Sequence, residues 1–263
     1  MDHIQTWLAE IETHRQKCGR PLVTLSYAQS LDGCITLRRG QPLALSGDES
    51  LIITHRLRAA HQAILVGIGT ILADNPRLNV RLVEGRNPQP VVLDSQLRFP
   101  EGSRLLDGPQ LPWIATTRCA PPEKRATLES AGVHLLEIPE DRHHRIQLPA
   151  LLERLASLGI DSLMVEGGAQ VITSFLSERL VDRIVLTIAP RFLGGLHALE
   201  GWSEISTGPT ISATSPTSRP DPVFPRLKSW QAERVGEDLL IWGVPDWEAP
   251  NAGQPSQTPK VLN

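Results

Sequence analysis

Two hydrophobic periods alternate along this chain. Short continuous apolar runs are typical of buried strands, and they occur at 22–28, 63–66, 90–93, 113–115, 133–138, 163–165, 181–189 and 239–242. Helices are predicted over 3–17, which would be short and polar, and over 46–61, 121–131 and 148–158, while apolar residues at helical spacing predict a further helix from Ala169. Strands that alternate with helices predict an α/β fold around a mostly parallel sheet, with the last strand antiparallel at its edge.

One segment combines the strand and helix patterns with unusual residues between them. Residues 163–190 read as an apolar strand, Glu166-Gly167-Gly168, an amphipathic helix and a second strand, which predicts a parallel βαβ crossover. In open α/β sheets, ligands lie beyond the carboxyl ends of the strands. Glycines allow a ligand close to the backbone, and a helix N-terminus offers free N–H groups to phosphate. The alternative interpretation is a tight turn with an exposed carboxylate.

Several other apolar strands also end in small, polar or charged residues. The endings are 28–30, 67–70, 94–95, 116–118 and 166–168. Because the carboxyl ends of parallel strands share one edge of a sheet, we expect these five endings to line one crevice. The sequence therefore places a candidate site there.

A basic cluster accompanies these endings. Its members are Arg56, Arg58, His61, Arg77 and Arg81, and a turn, LADNP, precedes the last two. Arginine binds phosphate with a planar fork of donors and stays charged when partly buried, so the cluster is a candidate phosphate site. A solvated helix face followed by a charged loop is the alternative. The sequence SGDE at 46–49 has the form of a capping box and predicts the start of the helix.

Composition and charge narrow the function classes. The chain has 263 residues, 40% of them apolar, which is enough for a substantial core. Its net charge of −3 and pI of about 6.2 give no basic footprint for nucleic acid. The chain has no apolar run of 18 residues, and its N-terminus is charged throughout, so we expect neither a membrane anchor nor a signal peptide. We therefore expect a cytoplasmic protein. Three widely spaced cysteines indicate no disulfide framework.

The same survey predicts the domain organisation. We expect a helical N-terminal extension at 1–20, a single domain at 21–244 and a disordered tail at 245–263. A Ser-, Thr- and Pro-rich stretch at 206–225 predicts a long loop. The chain contains no GxGxxG, no GxxxxGK[ST], no HExxH and no zinc-deaminase signature, and His143-His144 is interpreted as part of a surface loop. No metal site is predicted, so a redox cofactor that brings its own chemistry is the natural suggestion.

Five segments, in this order, closely resemble the riboflavin-biosynthesis pyrimidine reductase family. They are SLDG (30–33), AILVGIGTILADNPRLNVR (63–81), VVLDS (91–95), VEGGAQVITSFL (165–176) and VDRIVLTIAPRFLGG (181–195). In many bacteria this family forms the C-terminal half of a bifunctional deaminase/reductase. The resemblance implies a dihydrofolate-reductase-like α/β fold, a homodimer, and NADPH-dependent reduction of the ribosyl group of 5-amino-6-(5-phosphoribosylamino)uracil to a ribityl group.

The resemblance also implies roles for matching residues. The cofactor would lie along Ala28, Thr70, Asp74 and Ser95, with its phosphates at Gly167, Gly168 and the helix start, Ala169, Gln170 and Val171. The substrate would be surrounded by Arg58, Leu78, Arg81 and Glu166, with the arginines on its phosphate. Thr116 and Arg118 are our own candidates for the cofactor's 2′-phosphate. Asp32 and Glu166 are the candidate catalytic carboxylates, and the sequence does not choose between them.

Three departures from the family pattern leave alternatives open. Cys34 follows SLDG where the family often has Lys or Arg, and Pro42 and Ala44 stand where it often has Ser and Trp. The alternatives are a reductase of the undeaminated 2,5-diamino-pyrimidinone analogue or of another carbonyl or pteridine compound, and a non-catalytic nucleotide-binding sensor.

Overall fold

A nine-stranded sheet organises the part of the chain that the computed structural model describes, residues 10–200 and 225–247. The helices are α1 Ile11–Cys18, α2 Asp48–Ala60, α3 Ile68–Asp74, α4 Pro122–Ser130, α5 Leu148–Ser157 and α6 Ala169–Ser177. The strands are β1 Leu22–Ser30, β2 Cys34–Thr36, β3 Ala63–Gly67, β4 Gln89–Leu93, β5 Trp113–Thr116, β6 His134–Glu137, β7 Ser162–Val165, β8 Arg183–Ala189, β9 Leu196–His197, β10 Arg226–Val235 and β11 Asp238–Asp246.

The sheet is parallel over most of its width. Its strand order is β10-β11-β8-β1-β7-β3-β4-β5-β6, and the strands from β8 to β6 run parallel. β11 pairs antiparallel with β8, and β10 pairs antiparallel with β11. β2 and β9 form a separate two-stranded sheet. The predicted mostly parallel α/β architecture is confirmed.

Helices cover both faces of the sheet. Since alternate residues of a strand point to opposite sides, one strand contributes side chains to the core on each face. Ile64 and Val66 of β3 lie in a core cluster with α3 and α4, whereas Ala63 and Leu65 lie in one with α5 and α6. The chain moves outward from β3 to β6 and then returns through β7, which lies between β1 and β3. Such a reversal in a doubly wound sheet opens a crevice at the carboxyl ends of the central strands.

The far edge of the sheet differs from the prediction. The strand around 239–242 is antiparallel as expected, but it is not the edge strand, because β10 lies outside it. β10 was missed because it is exposed along almost its whole length and carries no apolar run. β11 also extends to Asp246, so the first two residues of the tail predicted at 245–263 belong to a strand.

Other predictions fall on residues that are not described. The loop predicted at 206–225, apart from its last residue, lies outside the described ranges, as do the tail from 248 and the first part of the N-terminal helix.

The start of α2 also corrects a prediction. The N-cap is Gly47, not Ser46, and no side chain caps the helix from within the box. The Gly47 N–H donates instead to the Asp238 carboxylate of β11 at 2.8 Å. The helix therefore begins one residue later than the predicted capping box, and no side chain caps its N-terminus.

Within residues 10–200 and 225–247, no helix is long and apolar enough to span a membrane. The same residues contain no group of three or more His, Cys, Asp or Glu that could hold a metal ion. Cys18, Cys34 and Cys119 are free thiols.

Candidate active site

The five polar strand endings lie along one edge of the sheet. β1, β7, β3, β4 and β5 are consecutive neighbours and parallel, so their carboxyl ends face the same side. The expectation of a shared edge is therefore confirmed. Two flanking segments add further polar groups there: the loop that follows α3 and the one that follows β8.

The Glu166 turn is packed closely against the neighbouring strand and its own helix. The Glu166 N–H donates to the Leu65 carbonyl of β3 at 2.9 Å. A Cβ on Gly167 would lie 2.4 Å from Val171 Cβ, and one on Gly67 would lie 2.9 Å from Val171 Cγ2. Gly168, the N-cap of α6, has open space at its Cβ position, and no side chain caps the helix. The two glycines thus differ: Gly167 serves packing, and Gly168 leaves the helix N-terminus accessible.

Arg58 and Glu166 form a bidentate ion pair. Arg58 Nε donates to Glu166 Oε1 at 2.7 Å, and Arg58 Nη2 donates to Oε2 at 2.6 Å. Both side chains are largely buried, at 12% and 17% exposed. Burial opposes the charge of Arg58, but the Glu166 carboxylate outweighs it and raises the pKa of the guanidinium. The prediction had assigned these residues separately; the structure joins them into one charge-assisted unit.

The loop after α3 presents Arg81 beside this ion pair. The backbone turns sharply at Asn75 (φ 41°) and Leu78 (φ 51°), left-handed conformations that cost energy for a residue with a side chain. The Leu78 side chain is 3% exposed and packs in the same core cluster as residues of α3 and α4, so it anchors the loop to the core. Arg81 is exposed overall; partial burial, and then the positive charges of Arg58 and Arg77, lower the pKa of its guanidinium.

Asp32 lies in a different environment, within the loop that follows β1. Its Oδ1 accepts hydrogen bonds from Ser30 Oγ at 2.5 Å and Leu193 N at 3.0 Å, and its Oδ2 accepts one from Gly194 N at 2.7 Å. The Cys34 thiol lies 3.5 Å from Oδ2. These donors, the Ser30 hydroxyl above all, hold the pKa of Asp32 far below its ordinary range.

The carboxyl ends of β4 and β5 are tied together by hydroxyl groups. Thr116 Oγ1 donates to the Ser95 carbonyl at 3.4 Å, and Thr117 Oγ1 donates to the same oxygen at 3.1 Å. Both threonines are buried. Arg118 projects outward with 92% of its side chain exposed and contacts Glu137 at 3.0 Å. Of this pair of candidates, Arg118 has the accessible group, whereas the Thr116 hydroxyl is engaged internally.

The remaining candidates for cofactor contact lie on β1, α3 and α6. Ala28 is half-buried near the end of β1, and Thr70 is half-buried in α3. Asp74 is exposed at the last position of α3. Ala169 is buried and Gln170 exposed in the first turn of α6.

The three departures from the family pattern have different surroundings. Cys34 is fully buried, and its sulfur lies 3.2 Å from the Gly195 N–H. Pro42 and Ala44 are exposed, in the segment between β2 and α2. Cys34 therefore contacts the loop after β8, while Pro42 and Ala44 place no polar side chain at their two exposed positions.

One member of the predicted basic cluster, His61, is buried and hydrogen-bonded internally. His61 is 7% exposed, with Nδ1 2.7 Å from the Leu57 carbonyl and Nε2 2.8 Å from Thr24 Oγ1. It joins α2 to β1 and takes no part in a phosphate site, so including it in the cluster was wrong. Two residues that sequence reasoning missed, His55 and Asn87, bind the Arg81 loop instead. His55 lies one helical turn before Arg58, and that spacing was the available signal.

Comparisons with known proteins agree with this geometry. The model of the RibD C-terminal domain family matches residues 21–241. The 2,5-diamino-6-ribosylamino-4(3H)-pyrimidinone 5′-phosphate reductase of Archaeoglobus fulgidus is 41% identical over 67% of this chain and 83% of its own. The protein of the same name from Methanothermobacter thermautotrophicus is 41% identical over 84% of this chain and 97% of its own. The structure of Acinetobacter baumannii RibD has a TM-score of 0.71 at 24% identity, covering 90% of this chain and 61% of its own, and shows the shared fold.

Proposed function

We propose an NADPH-dependent ribosyl reduction for this chain, which belongs to the RibD C-terminal domain family. Membership of that family and its reductase relatives make the chain an oxidoreductase of riboflavin biosynthesis. Its proposed substrate is 5-amino-6-(5-phosphoribosylamino)uracil, whose ribosyl group is reduced to ribityl. What we propose beyond that assignment is the identity of the pyrimidine and the use of NADPH.

The observation that carries the proposal is the Arg58–Glu166 pair with Arg81 beside it. A carboxylate held in one orientation by a bidentate guanidinium presents acceptors to the N–H and O–H groups of a pyrimidine or an opened sugar. Arg81 has an exposed guanidinium close enough to add positive charge to the same place. The arrangement suits a ligand with polar ring groups at one end and a phosphate at the other.

This assignment revises the role expected of Arg58. The three nitrogens of its guanidinium donate to Glu166 and to the Asn79 carbonyl, so in this arrangement Arg58 orients other groups. We assign the phosphate contact to Arg81. We assign the substrate contact to Glu166 and not to Asp32, because the Asp32 oxygens already accept hydrogen bonds from the loop amides at 193 and 194.

The cofactor would occupy the other part of the same edge. NADPH supplies the hydride when it is bound, and the protein supplies position and the exclusion of water. The first N–H groups of α6 and the open space at Gly168 fit the phosphates of a dinucleotide. Ala28, Thr70, Asp74 and Ser95 would line its remaining length, and Arg118 would bind the 2′-phosphate of NADPH.

The first experiment measures loss of NADPH absorbance when the purified protein is offered the phosphoribosylaminouracil, with NADH in parallel. We expect rapid turnover with a preference for NADPH. Arg81→Ala should raise KM for the pyrimidine by roughly 30-fold while KM for NADPH stays within about twofold, because only the substrate loses a charged partner. Equal losses for both ligands would contradict the assignment of Arg81.

A second candidate substrate is the undeaminated 2,5-diamino-pyrimidinone phosphate. It is favoured by the names of the archaeal relatives, which are 41% identical to this chain. The two pyrimidines differ at one ring position, so they are tested side by side in the same assay. The larger kcat/KM identifies the substrate, and binding of NADPH without turnover of either compound would favour the sensor alternative.

We also propose that the protein is a cytoplasmic homodimer, on the strength of the family resemblance. Light scattering of the purified full-length chain should give about twice its mass of 28.9 kDa. A monomer at micromolar concentration would contradict this part of the proposal.

A further inference from the structure

The main chain of residues 79–81 is held at three consecutive positions by side chains from elsewhere. Arg58 Nη1 donates to the Asn79 carbonyl at 3.2 Å, and the Val80 N–H donates to Asn87 Oδ1 at 2.8 Å. The Arg81 N–H donates to His55 Nδ1 at 3.1 Å. Asn79 and Val80 are half-buried and Arg81 is exposed, so water could bind part of this main chain, yet side chains hold all three positions.

The Arg81 side chain is held much less firmly than its main chain. Among the described residues, its guanidinium has one hydrogen bond, to Asn79 Oδ1 at 3.5 Å, the outer limit for such a contact. The backbone of Arg81 is therefore fixed in advance, and its donors remain available to a ligand.

His55 is suited to act as the acceptor in this arrangement. Its side chain lies in a buried position on α2, 1% exposed. Because Nδ1 accepts a hydrogen bond, the neutral ring carries its proton on Nε2. Burial, and then the charges of Arg58 and Arg81, lower the pKa of His55 to about 4. At neutral pH the imidazole is uncharged, and Nδ1 stays free to accept.

We propose that His55 is a positioning residue for the reduction: it binds the Arg81 backbone and so places the Arg81 guanidinium for the anionic group of the substrate. The inference rests on the proposed function, because it takes the phosphate of the pyrimidine substrate as that group. Small displacements of a binding group cost large factors in rate or affinity, so a residue that touches no ligand can affect binding strongly.

Two polar substitutions separate the hydrogen bond from simple loss of the ring. In His55→Asn, the amide oxygen occupies nearly the position of Nδ1 and can still accept from Arg81 N–H. In His55→Gln, the amide extends beyond that position, towards the place of Nε2. We expect KM for the phosphorylated pyrimidine to rise about tenfold in His55→Gln and to stay within about threefold of wild type in His55→Asn. KM for NADPH should not change in either.

The matched control is His61→Gln, at the C-cap position of the same helix. His61 is also buried and hydrogen-bonded on both nitrogens, but its partners are Leu57 and Thr24. A loss of stability without a change in KM is expected for this variant. If His61→Gln raises KM as much as His55→Gln, or if His55→Asn and His55→Gln behave alike, the positioning role is wrong.

A double mutant tests whether His55 acts through Arg81. In an Arg81→Ala background, His55→Gln should raise KM by less than about twofold further, because the group that it positions is already gone. The same tenfold rise in both backgrounds would show that His55 merely supports the fold, and would overturn the inference.

Calorimetry with ribose 5-phosphate distinguishes this inference from the proposed function. We expect binding to wild type and His55→Asn, and about tenfold weaker binding to His55→Gln and Arg81→Ala. If this pattern appears while wild type reduces neither pyrimidine, the proposed function fails and the positioning role of His55 stands. If wild type is active but His55→Gln binds ribose 5-phosphate as wild type does, the positioning role alone fails. Absence of binding by an active wild type would likewise overturn it.

Discussion

Two loops at the edge of the sheet each hold a carboxylate, and they hold it in opposite ways. Asp32 accepts hydrogen bonds from neutral donors, a hydroxyl and two main-chain amides of the loop after β8. Glu166 instead faces a single cation, Arg58, through two parallel hydrogen bonds. The first carboxylate organises backbone, and the second is part of a charged pair that sits beside Arg81.

The difference indicates which carboxylate can serve a ligand. Moving Asp32 would release the amides at 193 and 194 and loosen the loop that carries them. The Glu166 carboxylate binds no loop amide in the described chain, and its oxygens keep further acceptor sites beyond the two used by Arg58. The Asp32 loop is therefore interpreted as scaffold, and the Glu166 turn as the place of recognition.

The largest effect is expected for Glu166→Gln. The amide keeps the shape of the side chain but loses the charge that pairs with Arg58 and the second acceptor that would face the substrate. We expect kcat/KM to fall at least about 100-fold, with NADPH affinity within twofold, in steady-state assays and NADPH titration. If Asp32→Asn costs more activity than Glu166→Gln, the assignment of roles to the two carboxylates is reversed.

Substitution of the two neighbouring glycines should separate folding from cofactor binding. Gly168→Ala meets no atom within 4 Å, so stability should hold while NADPH binds about tenfold more weakly, because the new methyl group lies where the phosphates approach. Gly167→Ala would collide with Val171 and should lower the free energy of unfolding by about 1–3 kcal/mol. Urea denaturation and NADPH titration measure both. Unchanged NADPH binding by a folded Gly168→Ala protein would remove the cofactor from this turn.

Asp32→Asn should produce a smaller, mainly structural effect. In the asparagine, an NH₂ group replaces one of the two carboxylate oxygens. That group cannot accept the main-chain hydrogen bond that the oxygen received from Leu193 or Gly194. Hydrogen exchange in a peptide covering 190–200 should accelerate by roughly tenfold, while kcat falls by about threefold. Asp32→Glu serves as the control that keeps both acceptors on a longer arm. Unaltered exchange in Asp32→Asn would contradict the scaffold role.

The smallest effect concerns the pH dependence of stability. The pKa of His55 lies near 4 in the folded protein, against an ordinary value of about 6.5, so the unfolded chain takes up this proton first as the pH falls. The free energy of unfolding should therefore decrease from pH 6.5 towards pH 4. In His55→Asn, the slope of the free energy of unfolding against pH should be smaller over that window, by the equivalent of about one bound proton. Urea titrations at several pH values measure this slope. An identical slope would show that His55 is not a neutral acceptor.

Sequence patterns predicted the layout of this fold better than its contacts. The strands at 63–66 and 163–165 were visible because buried parallel strands are continuous apolar runs. β10 was not visible, since a strand exposed on both faces has no apolar pattern to read. The candidate residues Arg58 and Glu166 were each identified, but they lie 108 positions apart, and their pairing depends on which strand returns beside β3. Local patterns carry no information on that choice.

The return of β7 between β1 and β3 has a consequence for the order of folding. Arg58 meets a partner 108 residues later, and Asp32 meets amides 161 and 162 residues later. Contacts this distant in the chain close slowly, because the loop entropy is lost before the contact forms. During synthesis, the first half of the molecule can acquire its outer strands while the ligand site is still incomplete. The two halves of the candidate site, Arg58 and Glu166, therefore meet only in a chain that has been synthesised past β7, and ligand binding should report on that later stage of folding.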